Sequence, residues 1–357
     1  MRKAVAAARA HSDDRARRAA LLRWYGRHRR DLPWRRARDP YAIWVSEIML
    51  QQTRVETVVP YYERFLDRFP TVHALARAPE SSVLAAWSGL GYYRRARNLR
   101  DAAALVARDH GGALPRDPEA LRALPGIGAY TAAAIASIAF GRPAAAVDGN
   151  VIRVIARWDG RRGRRDDAAL RRAVTARAES LAPGRRPGDW TQALMELGAT
   201  LCLPRDPLCE RCPVARWCRA RRGGRPDRYP EGAAKGPPKR EHRVLLLVRR
   251  GSRILLLPDP SDAGATWAPP SVALPEGGAP RSARAALALA QAHGGDGPPR
   301  GPVRRFRHRT YAHDWTVEVW EVGAKPRHDW ANGRWATRAA LAGLPVRAPT
   351  VKALKDL

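Results

Sequence analysis

At 357 residues, with 45% apolar residues, the chain is long enough for two ordinary domains and too apolar for wholesale disorder. Its longest uncharged apolar runs, AAAIASIAF and VLLLV, fall far short of the roughly 20 residues that a membrane-spanning helix needs, which excludes a membrane-embedded class. A formal net charge of +31 points to a polyanionic partner, but the bias toward Ala, Arg, Gly and Pro runs through the whole chain, so charge alone does not name that partner.

The start, MRKAVAAARAHSDDRARR, lacks an apolar signal core and carries Asp13 and Asp14, so a cytoplasmic setting is expected. From about residue 20 to residue 222 the sequence reads as successive helices with Pro and Gly at every joint. They are RRAALLRWYGRH, YAIWVSEIMLQQTRVETVVPYYERFLDRF, SSVLAAWSGLGYYRRARNLRDAAALVARDHG, a Pro-Gly-Ile-Gly turn leading into AYTAAAIASIAF, then NVIRVIARW and TQALMELGATLC. Helical aromatics usually pack inward, so Trp24, Trp44, Trp87 and Tyr93 are read as core. Residues 223–240, rich in Pro, Gly and charge, read as an exposed linker. Beyond it the pattern changes class: HRVLLLVRRGSRILLLP reads as two strands about a Gly-Ser turn, ARAALALAQAHGG as a helix and WTVEVWEV as an alternating strand. No internal repeat is visible. The expected architecture is an all-α domain followed by a smaller α+β domain over residues 241–357.

Two motifs carry the chemistry. In LPGIGAYTAAAIASIAF, Gly126 and Gly128 permit a tight turn whose amides, with the helix start behind them, suit an anion. All four cysteines lie in CLPRDPLCERCPVARWC, spaced C-x6-C-x2-C-x5-C at Cys202, Cys209, Cys212 and Cys218. A reducing compartment disfavours disulfides. Tetrahedral zinc suits four thiolates but usually shows two close pairs, whereas an iron–sulfur cubane accepts wider spacing. With this pattern the region resembles the [4Fe–4S] loop of the endonuclease III family of DNA glycosylases, in which the glycine turn belongs to a helix-hairpin-helix motif, here about residues 121–140. The resemblance implies a glycosylase domain over residues 1–222, a [4Fe–4S] cluster on the loop 202–218, and DNA-backbone phosphate at Gly126 and Gly128.

Asp148 in AVDGNV reads first as a helix N-cap. Glu47, in YAIWVSEIMLQQTRV, shares a helical face with Ile43, Trp44, Leu50, Gln51 and Arg54, and is either buried among apolar side chains or partly exposed and paired with Arg54. PWR followed by WVSEIMLQQTRVETV resembles the adenine glycosylase branch, known as MutY. That resemblance implies a general acid at Glu47, an essential carboxylate at Asp148, and Asn150 positioning groups around the sugar. It implies an adenine pocket of Trp34, Arg35, Leu50, Val55 and Gln192. Gln52 and Tyr92 would wedge the base stack, with Thr53 and Leu90 near the opposite base. A lysine occupies the position of Tyr130 in lyase-active relatives, so Tyr130 implies excision without strand scission.

The second domain resembles the Nudix-like recognition domain of the same branch. Hydrolase activity is not expected, because PEGGAPRSARAALALAQAHGG has no glutamate after Glu276 to build a metal-binding helix. The family's lesion-reading loop maps to Tyr311, Ala312 and His313, with His308 just upstream; Ala312 departs from the family's serine and has no hydroxyl to accept a hydrogen bond. A simple hairpin turn is the alternative there. The expected protein is therefore a monomeric, bacterial, cytoplasmic and nucleoid-associated monofunctional adenine DNA glycosylase. It would act on 8-oxo-guanine:adenine and guanine:adenine pairs in double-stranded DNA, away from any membrane. An endonuclease III-type glycosylase with lyase activity and a non-catalytic, cluster-bearing damage binder stand as alternatives.

Overall fold

The computed structural model describes residues 2–36, 39–232, 238–260, 266–309, 313–326, 330 and 332–354. The chain divides into two compact units, Met1–Ala76 with Asp101–Lys235, and Arg77–Arg100 with Gly236–Leu357. Among the described residues no helix is long and apolar enough to cross a membrane.

The first unit is helical. Its core gathers around the helix Gly149–Asp159, which is buried continuously from Val151 to Trp158. Asp148 starts that helix by accepting a 2.7 Å hydrogen bond from the Val151 amide, and Gly160 ends it at φ +64°, the left-handed conformation that glycine adopts freely. Leu21 and Tyr25 of the first helix, Trp190, Leu194 and Leu197 of the helix Pro187–Thr200, and Val214 and Cys218 of the cysteine loop close around it. The helix Pro40–Met49 is capped by Asp39, whose carboxylate accepts from the Tyr41 amide with Pro40 in the first turn. Every residue from Tyr41 to Met49 is buried.

Two helices expected to run unbroken are each interrupted. The first divides into Pro40–Met49 and Val55–Arg68, with Gln52 in the intervening turn at φ +58°. The second divides into Glu80–Trp87 and Arg94–Asp109, separated by Gly89, Gly91 and Tyr92, all at positive φ. Trp44, Trp87 and Tyr93 are core residues, and Trp24 packs against the core from a partly buried position. Residues 226–232, expected as part of a linker, belong to the first unit: the Tyr229 carbonyl accepts from Arg157 Nε at 2.9 Å, and Glu231 forms an isolated β-bridge with Arg164.

The second unit is built on a mixed sheet. Its strands are β1 (Lys239–Arg250), β2 (Arg253–Pro258), β3 (Trp267–Ala268), β4 (Ser271–Leu274), β5 (Gly295–Arg309), β6 (His313–Ala324) and β7 (Arg334–Thr337), in the order β3-β2-β1-β6-β5 with β4 on β1 and β7 on β2. β1 is parallel to β6 and antiparallel to β2 and β4. Alternation along β1 sends Val244, Leu246 and Val248 to the face covered by the helix Ser282–Ala292, and Leu245 and Leu247 to the face covered by Leu344, Val346 and Leu354. β5 was not legible in sequence, because Pro298, Pro299 and Pro302 argue against a strand. It lies at the sheet edge with two register shifts, where prolines are tolerated.

The helices Pro187–Thr200 and Gly149–Asp159 come close together at Gly198. A Cβ there would stand 2.6 Å from Asn150 Cβ and 3.2 Å from Asn150 Cα. Gly198→Ala should therefore force the two helices apart and destabilise the protein by about 1–3 kcal/mol, seen as a lower urea midpoint.

Candidate active site

Elements of the first unit converge on a cavity of about 220 Å³. The helix Pro40–Met49 brings Glu47, the hairpin helix Ala129–Ile138 brings Tyr130, and the start of the helix Gly149–Asp159 brings Asp148 and Asn150. Trp34, Arg35, Leu50, Val55 and Gln192, all expected as one pocket, line the same cavity, as does Thr53. Gln51 and Arg54, placed with Glu47 on one helical face by sequence, lie beyond the helix end, and Arg54 is exposed.

Glu47 is buried at 6% exposure. Burial pushes its carboxyl up to about 7, hydrogen bonding with Tyr130 pulls it down, Asp148 pushes it up and Arg35 pulls it down. Burial, then the Glu47 and Asp148 charges, hold the Tyr130 phenol well above its ordinary value, so it stays a neutral donor. Its hydroxyl also lies 3.7 Å from Met195 Sδ. Burial likewise raises Asp148, against hydrogen bonds from the Val151 amide and from Asn150. Asn150 Nδ2 donates to Asp148 Oδ2 at 3.0 Å, and Arg153 Nη2 donates to Asn150 Oδ1 at 2.8 Å, so amide and guanidinium hold the carboxylate in one orientation. Asp148 is thus both the N-cap that its local sequence implies and a wall of the cavity.

Sequence reasoning missed Glu196 and Arg30. Glu196, 1% exposed, lies one turn beyond Gln192 on the helix Pro187–Thr200. Burial opposes its charge, yet hydrogen bonds from Arg30 and Arg35 bring it down to about 2. Arg35 Nη2 donates to Glu196 Oε2 at 2.7 Å and Arg35 Nη1 to the Arg30 carbonyl at 3.0 Å, which fixes the guanidinium in the cavity wall. The spacing of residues four apart is the only sequence signal that relates Glu196 to Gln192; its partners are remote in the chain.

The remaining expected contacts lie outside the cavity lining. Non-glycine residues at positive φ are Gln52, Tyr92, Arg186 and Asp206 among the described residues. Such conformations are held at roughly 1–3 kcal/mol each and concentrate at functional sites. Tyr92 is also 55% exposed, whereas Leu90 is buried. In the hairpin turn Gly126 adopts φ +77°. Gly128 is the N-cap of the helix Ala129–Ile138, and a Cβ there would meet nothing within 4 Å, so the approach to the helix start is open.

The four cysteines form no disulfide and line one small cavity, together with Arg157 and Leu208. Burial raises Cys209 and Cys218 and pushes Cys212 up to about 12, so thiolates would form there only against a cation. Arg157, 2% exposed, donates to Cys202 Sγ at 3.3 Å and to the Leu203 and Pro204 carbonyls at 2.6 and 2.9 Å. Arg153 Nε donates to the Cys202 carbonyl at 2.7 Å. Among the described residues no group of three or more His, Cys, Asp or Glu side chains forms a site for a single metal ion.

In the second unit, His308 on β5 pairs across the sheet with Trp315 on β6. The His308 and His313 rings lie 5.4 and 5.6 Å from the Trp315 ring, and the Arg243 guanidinium lies 3.9 Å from it. Burial, then Lys352, Arg347 and Arg243, push His308 down to about 4, so its imidazole is neutral at physiological pH. Tyr311 and Ala312 lie outside the described residues.

A family model described as HhH-GPD superfamily base excision DNA repair protein matches residues 45–179, the span that contains Glu47, Tyr130, Asp148 and Asn150. The first unit thus has the fold of a helix-hairpin-helix base excision repair protein. Among solved structures, a thermostable thymine-DNA glycosylase is 32% identical with a TM-score of 0.54, covering 60% of this chain and 99% of that one. Adenine DNA glycosylase from Homo sapiens is 47% identical over 213 residues, 57% of this chain and 39% of the relative. Adenine DNA glycosylase from Mycolicibacterium smegmatis is 44% identical over 207 residues, 58% of this chain and 70% of the relative. The chain belongs to the adenine DNA glycosylase family. It spans 39% of the length of the human relative and 62% of the mouse relative.

With a folded value of about 7 against 4.5 when free, Glu47 binds more protons in the folded than in the unfolded state between those two values. Its contribution therefore falls as pH rises through that window. Glu47→Gln removes this penalty. The variant should match wild type near pH 4 and exceed its stability near pH 8 by up to about 3 kcal/mol, read as a difference in Tm that grows with pH.

Proposed function

We propose that the chain removes adenine mispaired with 8-oxo-guanine or guanine in double-stranded DNA, by hydrolysis of the N-glycosidic bond after flipping the base out of the helix. The observation that carries this reading is the pair of carboxyls in one cavity, Glu47 held near neutrality and Asp148 held in place by two hydrogen bonds. A cavity of about 220 Å³ is smaller than the roughly 300–1,000 Å³ of drug-sized sites and suits one heterocycle. Arg35 and Gln192 supply polar groups to the edge of the base, and Trp34, Leu50 and Val55 supply apolar wall.

Protonated Glu47 donates to N7 of adenine, which turns a poor leaving group into a neutral one. As the bond breaks, positive charge develops on the sugar, and Asp148 stabilises it, oriented by Asn150. Glu47, now ionised, takes a proton from the attacking water. Tyr130 holds a neutral hydroxyl beside both carboxyls and offers no amine, so no Schiff base forms and the product strand stays intact. This sets the reading apart from a glycosylase with lyase activity.

Flipping leaves a gap in the base stack. Gln52 and Tyr92, held at positive φ, are the wedge residues, with Thr53 and Leu90 beside the opposite base. Gly126 and Gly128 admit a backbone phosphate to the start of the helix Ala129–Ile138. Cys202, Cys209, Cys212 and Cys218 would hold a [4Fe–4S] cluster, and their shared cavity supports that donor set. When bound, the cluster would act as a structural cross-link of its loop, because hydrolysis moves no net electrons. The second unit is Nudix-like in this reading and recognises 8-oxo-guanine through His308, Tyr311, Ala312 and His313.

On a duplex with one adenine opposite 8-oxo-guanine, Glu47→Gln and Asp148→Asn should each lower single-turnover excision by about 10²–10⁴-fold while leaving mispair affinity largely intact. Excision at near wild-type rates by either variant would overturn the mechanism. Tyr130→Lys should introduce strand scission without alkali and an adduct trapped by borohydride. Efficient trapping by the wild-type protein would instead indicate a lyase.

A further inference from the structure

The loop that carries Tyr92 is gripped by Arg95. Arg95, on the first turn of the helix Arg94–Asp109, donates from Nη2 to the Gly91 carbonyl at 3.0 Å and to the Leu90 carbonyl at 3.3 Å. Its guanidinium also lies over two rings, 5.5 Å from the centre of Trp87 and 5.4 Å from the centre of Tyr92. Trp87 Nε1 donates to the same Gly91 carbonyl at 3.2 Å, and the Arg95 amide donates to the Tyr92 carbonyl at 2.9 Å. The loop in this grip has Gly91 at φ +71° and Tyr92 at φ +52°, with the Tyr92 ring more than half exposed. Burial pulls Arg95 down to about 10, so it remains charged under working conditions.

We infer that Arg95 is a positioning residue for base flipping: it holds the 90–92 turn and the face of the Tyr92 ring so that the strained, exposed tyrosine stands ready to enter the base stack. The inference rests on the wedge role proposed for Tyr92. The chemistry of the grip requires arginine. A planar guanidinium can lie against two rings while donating along its edge to two carbonyls, and a lysine ammonium cannot do both. Glycine at 91, at φ +71°, keeps the turn compact.

The experiment is a double-mutant cycle on the full chain with Arg95→Met, Arg95→Lys and Tyr92→Ala. Flipping is followed by stopped-flow fluorescence of a 2-aminopurine placed next to the target adenine, alongside single-turnover excision and thermal unfolding. Arg95→Met should slow the flipping signal by about tenfold or more, as expected for loss of charge-assisted hydrogen bonds. Arg95→Lys, which keeps the charge and disturbs packing least, should recover little of that loss. In the Tyr92→Ala background either change should add less than about a twofold effect, because the side chain being positioned is gone. Rescue by Arg95→Lys would overturn the inference in favour of a simple phosphate contact. Equal losses in both backgrounds, tracking a fall in Tm, would overturn it in favour of a purely structural role. If Tyr92→Ala alone leaves flipping unchanged, the wedge role fails first and the inference falls with it.

Discussion

A carboxyl carried into the interior on a helix with no exposed side sets the character of this site. Tyr41 to Met49 are all buried, so Glu47 cannot turn toward solvent without withdrawing seven apolar or aromatic neighbours and one serine from the core in part or whole. Packing of the helix, rather than a dedicated partner, places a carboxyl in the cavity wall, and the position of its titration follows from that burial. The neighbours then adjust it. Arg35 favours the ionised form and Asp148 the neutral form, and Arg35 is itself kept in place by Glu196.

Two buried arginines connect the far side of the unit to this wall. Arg153 and Arg157 lie four residues apart on the helix that Asp148 begins, and both donate to the cysteine loop, Arg153 to the Cys202 carbonyl and Arg157 to Cys202 Sγ and the carbonyls after it. Arg153 also donates to Asn150 and to the Gly198 carbonyl. Loop, helix start and the neighbouring helix are thereby tied to the same guanidinium groups. A buried charge left without those acceptors would be strongly unfavourable, so the loop and the helix are expected to order together.

Much of the site was legible because it depends on local chemistry. The Pro-Gly-Ile-Gly turn, the Asp-Gly-Asn helix start and the cysteine spacing each state their geometry within a few residues, and the structure gathers Glu47, Asp148, Tyr130 and the expected pocket residues into one cavity. What remained hidden depends on distance or on strain. Glu196 looks like an ordinary helical acid until Arg30 and Arg35, more than 160 positions away, close on it. The turn at Gln52 contains neither glycine nor proline, so nothing in the composition marks the break that splits the expected helix. β5 was concealed by its prolines, which only an edge position accommodates. Gln52 and Tyr92, which local rules describe poorly, are among the described non-glycine residues held at positive φ.

Asp148 caps its helix and faces the cavity with the same carboxylate. Residues that retain capping ability, Asn and Ser above all, would preserve the fold at this position while removing its charge. Mutational decay here would therefore not be cleared by unfolding and proteolysis, as most core damage is. A cell carrying such an allele would keep folded copies that differ only in the charge facing the cavity. The abundance of the protein would then give no sign of the change.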